Sequence, residues 1–255
     1  MKTLLKKLIN NCLAPLDLEI RRKVKEVPAH NPHLRSYEQR IKNMATLGFS
    51  PKVIYDCGAF TGEWALFTAQ LFHTAKFHLF EPNPVLHERI IHNLEPVKER
   101  YQLHKVAIGA ENTQAQLNVW GADDLSLAAS SLLSHVIGKP EEQVETKVIT
   151  LNSFAEHHPR PDFIKLDLQG GEVDALEGAK ALFNHTEVFL IEFGLIEAYI
   201  DRSAVKEVFD LMYDHGFVLY DIIDLSNRPL DNALGSGDLI FVQKESKLKE
   251  QKHWK

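Results

Sequence analysis

The stretch Val53-Ile54-Tyr55-Asp56-Cys57-Gly58-Ala59-Phe60-Thr61-Gly62-Glu63-Trp64 admits few folds. A short apolar run ends in the acid Asp56, passes through a glycine turn and opens into an apolar-periodic helix. Strand, tight loop and helix N-terminus, in that order, is how α/β proteins hold a nucleotide-like ligand. Gly58 lets the backbone turn and approach a ligand closely, and Gly62 lets the helix start close to the strand. The first N–H groups of a helix lack partners within it and suit a carboxylate or phosphate. Phe60 stands where the dinucleotide fingerprint Gly-x-Gly-x-x-Gly has its central glycine. On this motif alone, a ligand loop and a turn whose glycines serve only packing are equal readings.

The pattern of a buried strand ending in an acid recurs. Lys76-Phe77-His78-Leu79-Phe80 runs into Glu81 and the proline-locked turn Pro82-Asn83-Pro84. Glu81 falls where a mononucleotide-binding half places the carboxylate that takes ribose hydroxyls. The bland alternative is a strand-end acid capping the next helix. Phe163-Ile164-Lys165-Leu166 runs into Asp167, the glycines Gly170 and Gly171, and a helix from Glu172. Thr186 to Phe193 forms a further apolar strand, with Glu192 near its end. In a parallel sheet the C-terminal strand ends line the ligand crevice, so Asp56, Glu81 and Asp167 reach the same edge. A helix-capping acid explains any one of them alone; three together weaken that explanation.

The remaining periodicity fills in an α/β domain. Residues 3–26 look helical with a break near Pro15, and lysines decorate the polar side. That basic amphipathic helix could touch an anionic membrane surface or a partner subunit, or pack on its own domain. Residues 33–47 form a second helix, stopped by Gly48. Residues 101–108 and 115–120 read as strands, and residues 121–139, with Ser126, Ser130, Ser131 and Ser134, read as a long loop or lid. Residues 143–150 are β-prone, Asn152 caps a helical turn, and residues 203–215 form a helix ended by Gly216. Residues 217–223 and 238–242 supply the last strands, and a charged tail follows from Lys244. This divides the chain into a helical N-terminal extension (1–48), one α/β domain (49–244) and the tail (245–255).

Composition excludes several classes. The net charge is −6, and no basic stripe with interleaved aromatics argues for nucleic acid. No run is long and apolar enough for a membrane span, and the N-terminus lacks the pattern of a secretory signal. Cys12 and Cys57 make no disulfide framework, which fits a reducing cytoplasm.

The glycine loop, the Phe80-Glu81-Pro82-Asn83-Pro84 turn and the Ile164-Lys165-Leu166-Asp167-Leu168-Gln169-Gly170-Gly171-Glu172 segment together resemble the FkbM family of S-adenosylmethionine-dependent methyltransferases. The resemblance covers roughly residues 50–243. Gln169 and Gly171 depart from the family pattern, which has Glu and often Ala or His there. The resemblance implies a Rossmann-like class I methyltransferase fold, a mainly parallel seven-stranded sheet with a reversed last strand. It implies S-adenosylmethionine as cofactor, held at Asp56, Gly58, Ala59, Phe60, Thr61 and Gly62 around its methionine part. Glu81 would hold the ribose, Pro82 and Asn83 would shape that wall, Val106 and Ala107 would flank the adenine, and Ser131, with Ser130, would give a further contact. Asp167 would face the sulfonium. The implied acceptor is a hydroxyl on a sugar, glycan or small metabolite.

A sulfonium methyl is already electrophilic, so the protein must chiefly align an oxygen and help remove its proton. Asp167 and Glu172, which bracket the glycine turn, are the candidate bases; a cofactor-positioning role for Asp167 has nearly equal weight. A divalent metal held by Asp167, Glu172 and Glu192 ranks below both, and no metal is expected. His135, in the lid, is a reserve base. The alternatives are a nicotinamide-dependent oxidoreductase, disfavoured by Phe60, and a non-catalytic nucleotide-binding protein of the same fold. A homo-oligomer through the N-terminal helices is compatible with the sequence.

Overall fold

The computed structural model describes residues 36–121, 124–134, 139–195, 205–228 and 230–250. The expected helix over 3–26, Cys12 and His135 lie outside them.

Ten strands are present among the described residues. They are β1 (Val53–Cys57), β2 (Lys76–Phe80), β3 (Tyr101–His104), β4 (Ala107–Ile108), β5 (Thr113–Val119), β6 (Glu142–Ile149), β7 (Phe163–Leu166), β8 (Val188–Gly194), β9 (Phe217–Asn227) and β10 (Leu234–Gln243). Seven form one sheet in the order β3-β2-β1-β7-β8-β10-β9. β3, β2, β1, β7 and β8 run parallel, while β10 lies antiparallel to both β8 and β9. The central strands are buried on both faces, which is why they read as unbroken apolar runs.

Period-two alternation sorts the strand residues onto the two faces. Ile54, Phe163, Leu190 and Ile240 pack with Trp64, Ala65 and Ala69 of α2 (Glu63–Leu71) and with Ile41 and Met44 of α1 (Tyr37–Thr46). Ile164, Phe189, Ile191 and Phe241 face Phe154, Leu176 and Met212 on the other side. These come from α5 (Leu151–Ala155), α6 (Glu172–Glu177) and α7 (Val205–Asp214). The remaining helices are α3 (His87–Asn93), after β2, and the short α4 (Asp124–Ala128). Ile41 and Met44 are 1% and 0% exposed, so α1 belongs to this core although the sequence suggested an extension.

Four sequence expectations change. The run 101–108 does not continue as one strand: β3 ends at His104, and β4 joins a separate three-stranded sheet ordered β4-β6-β5. The stretch expected as a lid contains α4, and Ser131 is pinned to Asn118 by an isolated bridge. The α5 cap is Thr150, whose Oγ1 accepts the Ser153 N–H at 3.0 Å; Asn152 lies inside the helix and accepts the Ala181 N–H instead. The charged tail does not simply trail away: its described part, residues 245–250, is anchored where Leu248, 4% exposed, enters the core behind a Ser246 cap. No helix among the described residues is long and apolar enough to cross a membrane.

Candidate active site

The C-terminal edge of the sheet carries two clefts that share Gly58, Phe60 and Asp167. The first, about 960 Å³ with its open mouth, is lined by Glu81, Pro82, Val106, Ala107, Ser130, Ser131 and apolar side chains of β5 and α4. The second, about 930 Å³ on the same measure, lies toward α1 and α2 and is lined by Ala59, Thr61, Trp64, Lys165, Glu192 and Asp238 among others.

Lys165 organises the space beneath them. Register pairs Asp56 with Lys165 and Lys165 with Leu190, so all three share a sheet face. The Lys165 ammonium donates to the Gly58 carbonyl at 3.0 Å, lies 3.1 Å from Asp167 Oδ2 and 3.5 Å from Asp56 Oδ1, and sits over the Trp64 ring. Burial opposes its charge, but Asp167 and Asp56 hold its pKa above the ordinary lysine range. Asp56 is 0% exposed, and neither oxygen has a hydrogen-bond partner. Burial pushes its pKa up to about 6, against the pull of Lys165. Asp56 lines neither cleft; it lies beneath the glycine loop, beside Lys165.

Gly58 is at φ +81, and a Cβ there would meet the Asp167 carbonyl at 1.9 Å. That contact packs the glycine loop against the end of β7. Gly58 and Ala59 both donate to the Phe80 carbonyl, at 3.0 and 3.2 Å. Phe60 adopts φ +50, and its N–H donates to Glu81 Oε2 at 2.8 Å. Glu81 Oε1 accepts the Asn83 N–H at 2.9 Å. Glu81 thus ties the glycine loop to the turn after β2 while lining the first cleft. Burial lifts its pKa to about 7, against those two N–H bonds. Gly62 precedes α2 and provides no side-chain cap, so the start of that helix faces the second cleft through Thr61, Glu63 and Trp64. Gly62 and Asn83 line neither cleft. Asn83 instead caps the turn at Pro84 through the Val85 N–H.

Asp167 is the one acid common to both clefts. Gln169, at φ +52, donates from its amide to Asp167 Oδ1 at 3.0 Å and to Glu192 Oε2 at 2.8 Å. Ser131 Oγ donates to the Gln169 carbonyl at 2.8 Å. Burial works against the Asp167 charge, but Lys165 keeps its pKa below the usual carboxylate range. Glu192 moves the other way: burial and the Asp167 charge raise it well above that range. Glu172 lines neither cleft; its Oε1 accepts the N–H groups of Leu168 at 2.8 Å and Gly170 at 3.2 Å, fixing the glycine turn. Of the two candidate bases, then, only Asp167 faces the clefts. No set of three His, Cys, Asp or Glu side chains among the described residues is placed to hold a metal ion.

Sequence reasoning missed Lys165, Gln169, Asp238 and Tyr37. Lys165 carried a signal, a lysine in an otherwise apolar buried strand, which demands partners.

The strand order with its reversed member, the glycine loop after β1 and the acid after β2 define a Rossmann-like methyltransferase fold. The sequence matches the methyltransferase FkbM domain over residues 56–219, and the chain belongs to that family. It is a methyltransferase, with S-adenosylmethionine as cofactor, and the nicotinamide alternative falls. No curated protein matches the sequence. Similar solved structures include precorrin-6y C5,15-methyltransferase from Geobacter metallireducens GS-15, at 12% identity, 88% of this chain, 93% of that one and TM-score 0.47. Magnesium protoporphyrin IX methyltransferase from Synechocystis PCC 6803, with bound S-adenosylmethionine, aligns at 12% identity over 95% of this chain and 96% of that one, TM-score 0.45. An O-methyltransferase family protein from Burkholderia thailandensis aligns at 8% identity over 81% and 55%, TM-score 0.42.

The residues present fit the cofactor. Gly58 leaves the loop flush against β7, Glu81 offers a carboxyl in the first cleft, and Val106 and Ala107 give that cleft an apolar wall.

Proposed function

We propose that this chain methylates a hydroxyl oxygen of a sugar, glycan or small metabolite. The observation that carries the reading is the shared wall. A cleft fit for the adenosyl group shares Gly58, Phe60 and Asp167 with a second cleft lined with carboxyls and aromatic rings. When bound, S-adenosylmethionine supplies a methyl group on a sulfonium, an electrophile needing no further activation. Glu81 would take the ribose hydroxyls with the lone pairs its two N–H bonds leave free. Val106 and Ala107 would bound the adenine, and Ser131 would hold the Gln169 turn over it. The start of α2 would receive the amino acid end. Asp167, kept ionised by Lys165, is suited to stabilise positive charge at the seam, and this favours the positioning role over that of base. The second cleft offers hydrogen bonds to a polar acceptor. Its Glu63, Asp167, Glu192, Asp224 and Asp238 face one ammonium, Lys165, a balance that disfavours phosphate and nucleic acid.

Isothermal titration with S-adenosylhomocysteine and with NAD tests the cofactor half. Binding of the first and not the second is expected. Glu81→Gln should weaken S-adenosylhomocysteine by about 1.5–3 kcal/mol, since a charge-assisted bond is lost. Unchanged affinity refutes the ribose assignment.

A further inference from the structure

The second cleft is built partly from outside the family match. Tyr37 precedes the matched segment 56–219, and Asp224, Ser236, Gly237 and Asp238 follow it.

We propose that the second cleft is the acceptor chamber and that Asp238 is its general base, receiving the proton of an uncharged hydroxyl. The inference rests on the methyltransferase reading above and adds to it the residue and the acceptor charge. Elimination within the cleft points to Asp238. Asp167 is held by Lys165 and Gln169. Glu192 accepts from Gln169. Asp224 accepts the Tyr37 N–H at 2.8 Å. Glu63 is exposed on α2. The Asp238 carboxyl, unlike those of Asp167, Glu192 and Asp224, has no hydrogen bond or ion pair with any described residue; only the backbone of Asp238 is engaged, in the β10 ladders. Its position is also fixed: it stands directly opposite Glu192 across the β8–β10 pair, on the sheet face that carries Lys165. Gln169 links Glu192 in turn to Asp167 at the seam.

An orphan donor lies in the same chamber. Trp64 lines it, is 7% exposed, and its indole N–H has no partner. The aromatic rings of Tyr37, Phe60 and Trp64 give the chamber apolar faces suited to a ring-shaped acceptor.

The charge around Asp238 suits the role. Burial is the chief cause that lifts its pKa to about 7; Asp167, Asp224 and Glu172 add to the rise and Lys165 opposes it. A base works best with a pKa near the working pH. In the step, the acceptor oxygen bonds to the methyl carbon as the carbon–sulfur bond breaks. The sulfur keeps the bonding pair and becomes a neutral thioether. The hydroxyl proton passes to the Asp238 carboxylate, which returns it to solvent.

The test uses the full chain, tritium-labelled S-adenosylmethionine and three probe sets: neutral methyl hexopyranosides, the corresponding 6-phosphates, and total RNA. Label is expected in the neutral glycosides alone, with kcat rising as pH passes about 7. Asp238→Asn should lower kcat about 10²–10⁴-fold with KM and S-adenosylhomocysteine affinity unchanged. Should that variant fail to fold, Asp238→Glu, which keeps the carboxyl, should retain activity with a displaced ascending, acid-side limb. Full activity in Asp238→Asn overturns the base. An Asp238→Glu profile identical to the wild type also overturns it. Preferred labelling of 6-phosphates or RNA, or label in no probe while S-adenosylhomocysteine binds, overturns the acceptor chamber. Loss of S-adenosylhomocysteine binding by the wild-type chain instead fails the methyltransferase reading beneath it.

Discussion

Replacing Gly58 by alanine isolates the contact on which both clefts depend. Gly58 and Gly216 share a left-handed backbone, at φ +81 and +84. Alanine pays the same conformational cost at either, about 1–2 kcal/mol. They differ in surroundings. Nothing lies within 4 Å of a Cβ at Gly216, whereas at Gly58 it meets the Asp167 carbonyl oxygen at 1.9 Å and the carbonyl carbon at 2.9 Å. Both are backbone atoms in packed strand ends, so no side chain can swing away. The ends of β1 and β7 must part by about an ångström, which overpacking data price at about 1–3 kcal/mol. Parting them also stretches the bond from the Asp167 N–H to the Cys57 carbonyl, 3.1 Å long, a further loss of about 1 kcal/mol. Gly58→Ala should therefore destabilise by about 3–6 kcal/mol and Gly216→Ala by about 1–2 kcal/mol. Urea unfolding of the two variants beside the wild type measures the difference. Titration of folded Gly58→Ala with S-adenosylhomocysteine should show weakened binding, since Asp167 has moved. Equal destabilisation of the two variants, or native affinity in Gly58→Ala, refutes the argument that the loop is packed flush against β7.

Lys165→Met removes the only cation beside Asp56 among the described residues and should cost about 3–5 kcal/mol by urea unfolding, because a fully buried carboxyl then loses its partner. The double variant Asp56→Asn/Lys165→Met should recover part of that loss; no recovery means Lys165 stabilises through packing instead. Asp238→Asn should change the pH dependence of stability in a definite sense. The folded pKa of about 7 exceeds the ordinary 3.8, so the folded state keeps the proton longer than the unfolded chain. Stability from this group is full below pH about 4, falls as pH rises, and is lowest above about 7. The gain in melting temperature from Asp238→Asn should accordingly grow between those limits and level off above, and a gain that shrinks as pH rises refutes the buried-carboxyl reading.

Much of the cofactor half was legible because its chemistry sits on regular elements. An apolar run that ends in an acid and a glycine can be read as a strand delivering a side chain to a sheet edge, and Glu81 and Asp167 arrive there as expected. What the pattern could not tell is which way each carboxyl turns. Asp56 lies inside β1 and Glu172 opens α6, both close to the edge that Glu81 and Asp167 reach, yet one lies beneath the loop against Lys165 and the other accepts two backbone N–H groups. Those outcomes depend on side-chain partners from distant strands and loops, which a one-strand motif does not encode. The early end of β3 was hidden for a similar reason: Tyr101 to Ile108 is uniformly β-prone, and the switch of β4 to pair with β6 is set by tertiary pairing rather than propensity.

The acceptor half was illegible for a different reason, and Gln169 shows it best. As a departure from the family pattern, Gln169 looked like a loss. In the structure its amide stands between Asp167 and Glu192 and donates to both. A third carboxyl there would have added charge beside two buried acids, whereas the amide donates to both while Lys165 holds the Asp167 pKa down and burial with the Asp167 charge pushes that of Glu192 up. Glu192 stands across from Asp238, so the substitution reaches the wall that β9, β10 and α1 contribute. That wall joins Tyr37 to Asp224 and Asp238 across most of the described chain, and no local pattern predicts that they meet. A methyltransferase can keep its cofactor strands fixed and change acceptor by changing such residues, because the two clefts have only Gly58, Phe60 and Asp167 in common among their lining residues.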